Sequence, residues 1–128
     1  MACRTFSSPA DTSRKTFSDD EIQKVWNKAK EIDGEDASVY RKDYAGAWIK
    51  RDEYGNTEST LGWEIDHRKP VAKGGADDFW NLDPLQWNNN RTKNDDYPQW
   101  KTSKKAGASL TGLHYNVDKE QGWQISRQ

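Results

Sequence analysis

The hydrophobic core of this chain has to be built largely from aromatic rings. Only 32% of its 128 residues are apolar and 32% are charged, a balance that by itself borders on that of disordered chains. Seven Trp, five Tyr and three Phe reverse that expectation, because each buried ring removes about 150–250 Å² from water. The length admits one modest core and is short for two ordinary domains. We therefore expect a single domain over residues 17–128, behind a flexible arm at 1–16 that is rich in Ser, Thr, Arg and Pro.

The formal net charge of -1 excludes a global basic excess, so any phosphate contact must come from a local patch. Cys3 is the single cysteine, which leaves no partner for an intramolecular disulfide and no thiolate cluster for a structural zinc. A reducing, cytoplasmic setting fits that usage. No stretch has the apolar length of a membrane span, and the start of the chain lacks the apolar centre of a signal peptide. We expect no membrane partner.

Punctuation places the first helix. Ser18 and Glu21 form a capping-box pattern, Phe17 and Ile22 are spaced as a hydrophobic staple, and Ile22, Val25, Trp26, Ala29 and Ile32 recur at helical spacing up to Gly34. That stripe reads as a core-facing scaffold. Short extended pieces follow: 47–49 and 63–65 flank the polar stretch 54–57 and are expected to pair antiparallel. A second reversal is expected where residues 65–71 approach Gly74-Gly75.

Asp83-Pro84 reads as a helix start, N-cap followed by Pro at the first helical position, with the helix ending near Asn94 or Asp95. Asn88, Asn89, Asn90, Arg91, Lys93 and Asn94 make it so polar that it must face solvent or a reaction centre. Residues 113–117 suggest a late strand; His114 within it reads as an ordinary fold residue.

The chemistry-bearing pair is Asp66-His67, a hard oxygen ligand beside a near-neutral base, just before Pro70 limits further pairing. Glu64 lies on the same strand face as Asp66. Neighbouring strand residues point to opposite faces, so Asp66 and His67 serve one site only if the backbone bulges or the strand ends there.

The pattern Asp66-His67-x-x-Pro70-x-x-x-Gly74-Gly75, then Asn81-Leu82-x-Pro84-Leu85, then Asn90-x-x-Lys93 resembles the HNH endonuclease signature. The run 45–50 and Gly62-Trp63-Glu64 also resemble stretches that precede the motif in stand-alone bacterial and phage members, so the core motif spans about 45–97. The resemblance implies an α+β fold of the ββα-metal (His-Me finger) type, here with an additional N-terminal helix. It implies His67 as general base, Asp66 as metal-binding acid, Asn81 as the residue that holds the hairpin loop and orients the base, and Asn90 as the second metal ligand. Asn90 stands where a histidine closes the family's name, and an amide oxygen favours Mg²⁺ or Mn²⁺ over zinc. Asn94, one turn on, is a further, weaker ligand candidate, and Glu64 either supports the ligands from behind or serves structure.

Many relatives hold a structural zinc through paired Cys-x-x-Cys motifs, but Gln86 and Asn89 occupy the second pair here. The hairpin must be stiffened otherwise, and Trp48, Trp63, Trp80 and Trp87 are the candidates, as packing rather than as base-stacking surfaces. The resemblance implies a DNA endonuclease that hydrolyses phosphodiester bonds with one divalent cation on the scissile phosphate. Arg68, Lys69, Lys73, Arg91 and Lys93 cluster around the motif as nucleic-acid contacts, with Lys101, Lys104 and Lys105 downstream. Two other classes stay open: a non-catalytic nucleic-acid-binding module, and a structural domain whose Asp, His and Asn satisfy one another.

Overall fold

The computed structural model describes residues 16–103, 110–111, 114–115 and 124–127. Within them the protein is mixed α+β, with two α-helices and four two-stranded antiparallel sheets. Helix α1 (Asp19–Trp26) opens as its sequence demands: Ser18 Oγ accepts from the Glu21 amide at 3.2 Å and Glu21 Oε1 from the Ser18 amide at 2.9 Å. Two orphan amides are thereby satisfied. Ile22, Val25 and Trp26 form its buried face, and Phe17 packs on the same core.

The helix stops at Trp26, well short of Gly34. Ala29 keeps its place in the core, but Lys30 already exchanges two 2.8 Å backbone hydrogen bonds with Lys42. A residue bridged to a strand cannot supply those groups to a helix.

Strands β1 (Tyr40–Lys42) and β2 (Trp48–Lys50) pair with each other. Strand β3 (Trp63–His67) pairs not with 47–49, as expected, but with β4 (Leu82–Gln86), in register from Trp63↔Gln86 to His67↔Leu82. The five-residue connection 43–47 closes β1 on β2 at lower entropic cost than a loop from β2 to β3. Asp83-Pro84 likewise lies inside β4 rather than at a helix start. A proline fits there because β4 has one ladder partner and can turn the missing donor away from it.

Helix α2 (Trp87–Lys93) follows without a break, capped by Gln86, whose Oε1 accepts from the Asn89 amide at 3.0 Å, and it ends at Asn94 with φ +51°. Beyond it lie β5 (Gln99–Lys101), β6 (Leu110–Thr111), β7 (His114–Tyr115) and β8 (Gln124–Ser126), pairing β5 with β8 and β6 with β7. The expected strand at 113–117 is present at 114–115. Its remaining residues, Lys104, Lys105 and the arm up to residue 15 lie outside the described residues.

The β3–β4 ribbon divides two cores. Trp63, Ile65 and Leu82 face Ile22, Val25 and Trp26 of α1, with the Trp26 and Trp63 rings 5.3 Å apart, while Leu85 joins Ala45 and Trp100 on the other side. Rings do dominate: Trp26, Trp63 and Trp100 are the largest fully buried side chains. No helix among the described residues is long and apolar enough to cross a membrane.

Candidate active site

Strand alternation sorts the motif residues. Glu64 and Asp66 leave β3 on the face that receives α2, and α2 presents Asn90 and Lys93 three residues apart on one side. Two polar rungs result. Asn90 Nδ2 donates to Glu64 Oε1 at 2.8 Å, and Arg91 Nη2 donates to Glu64 Oε2 at 2.8 Å. One rung along, Lys93 Nζ lies 3.2 Å from Asp66 Oδ2 and donates to the His67 carbonyl at 3.1 Å. The polar helix thus faces the strand's carboxylates.

Asp66, Asn90 and Lys93 are 7%, 5% and 1% exposed, so Lys93 is a buried counter-ion here, not a surface phosphate contact. Among the described residues no three His, Cys, Asp or Glu side chains gather into a metal cage. The Asp66 carboxylate and the Asn90 amide oxygen are donors of the type a hard cation takes, but the Lys93 ammonium lies 3.2 Å from Asp66 Oδ2 and a metal would have to displace it. Asn94 is exposed at the helix end and touches Asn90 through its backbone amide.

His67 closes the ladder and points to the other face of the ribbon, where Phe17 lies 6.4 Å from its ring. Its Nε2 is 2.7 Å from Asp77 Oδ1. An ionised carboxylate can only accept, so Nε2–H donates to it, and in the neutral imidazole Nδ1 then carries the lone pair. Asp77 was not foreseeable from periodicity; the available signal was the acidic pair Asp77-Asp78, one residue beyond the double glycine.

Asn81 ties the loop that carries both partners. Its Oδ1 accepts from the Lys69 amide at 2.8 Å, and its Nδ2 donates to the carbonyls of Lys69 at 3.1 Å and Ala76 at 2.8 Å. One arm of that loop leaves His67 and the other delivers Asp77. The turn between them needs both glycines: Gly74 has φ +90°, and a Cβ on Gly75 would lie 1.7 Å from the Lys69 oxygen. Asn81→Ala strands the Lys69 amide and two carbonyls. We expect a loss of about 1–3 kcal/mol, with faster amide exchange confined to 68–81; unchanged exchange there would show that other contacts hold the loop.

Family models, curated proteins and solved structures give no match to this chain. Its functional reading rests on its own residues.

Two buried acids organise the surroundings: Asp83, expected as a helix N-cap, and Asp43, which the sequence did not single out. Asp83, opposite Asp66 in the ribbon, receives Arg68 at 3.0 and 3.2 Å, Arg127 at 3.1 Å, and Lys28 at 3.7 Å. Burial pushes its pKa up, but hydrogen bonds from both arginines outweigh burial and hold it below the usual carboxylate range. Arg68 is therefore spent on Asp83, whereas Lys73 is exposed, Lys69 half-buried, and Arg91 divided between Glu64 and solvent.

Asp43 occupies the opposite end of the ribbon. Its Oδ1 accepts from the Ala47 amide at 2.7 Å, and its Oδ2 from the Gln86 amide at 2.9 Å and Asn89 Nδ2 at 3.2 Å. Asn89 Oδ1 accepts from the Ser103 amide at 2.8 Å, and Gln86 Nε2 donates to the Thr60 carbonyl at 3.0 Å. Gln86 and Asn89 are the two positions where the resemblance leads one to expect zinc-binding cysteines. A buried hydrogen-bonded cluster joins the same segments: the β1–β2 turn, the end of β4, the start of α2 and the chain after β5. Of the four tryptophans expected to stiffen the hairpin, Trp63 and Trp48 are buried and Trp87 Nε1 donates to the Ser59 carbonyl at 2.8 Å. Trp80 is 58% exposed and packs no core.

Proposed function

We propose that the chain is a metal-dependent nuclease of the HNH type, hydrolysing phosphodiester bonds in DNA on a ββα-metal scaffold. The observation that carries this reading is the strand–helix interface on which Asp66 and Asn90 come from adjacent rungs, with His67 on the opposite face at the end of the same strand, its Nε2 2.7 Å from Asp77.

Asp66 and Asn90 would hold a divalent cation, which when bound would supply charge neutralisation to the reaction. The chain's own groups do the rest. His67 Nδ1 takes the proton of the attacking water as its oxygen bonds to phosphorus, and the imidazolium that forms is stabilised by the Asp77 carboxylate. The P–O3′ bond breaks and the departing 3′ oxygen takes a proton from solvent, leaving 5′-phosphate and 3′-hydroxyl ends. Asp66 and His67 depart from opposite faces of the ribbon, and the ladder ends at His67, so a phosphate reached by both sits across the ribbon's end. Asn81 keeps that end in shape. Lys69 and Lys73 attract the backbone on either side.

The Lys93–Asp66 pair favours a second reading, a non-catalytic nucleic-acid-binding module in which Lys93 permanently replaces the metal. Manganese titration followed by thermal denaturation separates the two. On the nuclease reading Mn²⁺ raises the melting temperature, by about 2.7 kcal/mol of added stability at a hundredfold excess over Kd, and Asp66→Asn or Asn90→Ala removes the rise. A wild-type protein indifferent to Mn²⁺ and Mg²⁺, with or without DNA, refutes the metal site.

A further inference from the structure

Among the described tryptophans, Trp80 is the exposed one, on the loop that joins β3 to β4. Phe79 is 50% exposed, Trp80 58% and Val71 44%, all three on the loop between β3 and β4. This loop is not slack. Asn81, the residue after Trp80, is fully buried and cross-ties both arms, its carbonyl accepts from the Arg68 amide at 2.7 Å, and Trp80 Nε1 donates to Asp78 Oδ2 at 3.2 Å. The indole edge is thus anchored while much of its surface stays in water. Beside it, Lys28 Nζ sits 4.6 Å from the centre of the Phe79 ring and donates to the Phe79 carbonyl at 2.9 Å.

A large apolar surface presented on a pinned loop marks a contact site. Its charge selects the partner. The cations of the loop that are not drawn to Asp83 are Lys69 and Lys73, because Arg68 and the neighbouring Lys28 pair with it, and the two acids of the loop are engaged, Asp77 with His67 and Asp78 with Trp80. Aromatic faces set among cations suit a nucleobase with its phosphates better than an aliphatic protein surface. The ladder ends one residue after the proposed base, and the Phe79–Trp80 turn lies directly across that end.

We propose that the Phe79–Trp80 turn is a stacking surface for an unpaired or locally melted nucleobase beside the scissile phosphate. It follows that the protein prefers single-stranded, gapped or distorted DNA over regular duplex, because a base inside an intact stack offers no face to Trp80. This inference takes its partner class from the nuclease reading.

The test is binding of the full chain, in chelator to prevent cutting, to a single-stranded oligodeoxynucleotide containing 2-aminopurine and to its duplex. The wild type should bind the single strand more tightly and quench the probe. Trp80→Ala should lose about tenfold in single-strand affinity, together with the quenching, at an unchanged salt slope, and Trp80→Phe should retain most of both. Equal binding and quenching by Trp80→Ala overturns the proposal, as does sedimentation showing that Trp80 drives self-association while DNA binding is untouched. If DNA is cut but Trp80→Ala binds and cuts like wild type, stacking fails and the nuclease reading survives. If Trp80-dependent quenching occurs but no metal supports cutting, stacking stands and the enzyme reading fails.

Discussion

Replacing His67 by alanine is expected to lower cleavage of supercoiled plasmid in Mg²⁺ or Mn²⁺ by about 10²- to 10⁴-fold, the range for removing a positioned general base. The fold should survive, because the imidazole stands at the end of β3, and its hydrogen-bond partner Asp77 has a side chain 54% exposed. Circular dichroism and the melting temperature would confirm that. Asp77→Asn should fall between wild type and His67→Ala: an amide can still accept from Nε2–H but offers no negative charge to the imidazolium. Plasmid nicking that persists unchanged in folded His67→Ala would refute the assignment of the base. A chelator should abolish wild-type activity without unfolding the chain, since the described cores are closed by apolar side chains.

Asp43→Ala is expected to cost about 1–3 kcal/mol, the range for leaving buried donors without their acceptor. The carboxylate is fully buried and accepts from Ala47, Gln86 and Asn89, so its loss strands donors in three segments at once. Asn at this position is no remedy, because its amide nitrogen would confront donors. Burial also pushes the Asp43 carboxyl up to about 6, although its hydrogen bonds pull the other way. The native state therefore holds this proton more tightly than the unfolded chain does. Stability from this group is fully present below the ordinary carboxylate pKa of 3.8 and is lost as pH rises through about 6. Urea midpoints should rise on going from pH 7 to pH 5 by roughly 1 kcal/mol from this residue, and the rise should vanish in Asp43→Ala. Asp83 works in the opposite sense: its pKa is depressed, so its contribution disappears on further acidification. A wild type whose stability is flat or falling from pH 7 to pH 5 would contradict the Asp43 assignment.

The elements written in local code were legible. The capping box at Ser18 and Glu21, the turn at Gly74-Gly75, the reliance on aromatic rings and the polar face of α2 all depend on residues a few positions apart, and each is where its spacing puts it. Helix length, strand partners and the role of Asp83-Pro84 were not. Ala29 and Ile32 keep helical spacing, yet Lys30 is taken by Lys42; Asp83 and Pro84 have N-terminal helix chemistry, yet β3 claims them for a ladder. In each case a non-local pairing outweighed a local preference worth about 1 kcal/mol or less.

By itself the sequence singled out Asp66, His67, Asn81 and Asn90 as the candidates for chemistry, and showed that no cysteine cluster accompanies them. Only the tertiary structure decided what each of them faces. Asp66 lies against Lys93, His67 against Asp77, Glu64 against Asn90 and Arg91, and Asp43 against the two positions where cysteines were absent. Trp80, expected inside, stands outside. Residue type and spacing record what a side chain is able to do, but partners 10 to 46 positions apart are chosen by strand register and helix docking, which minimise the cost of burying charge.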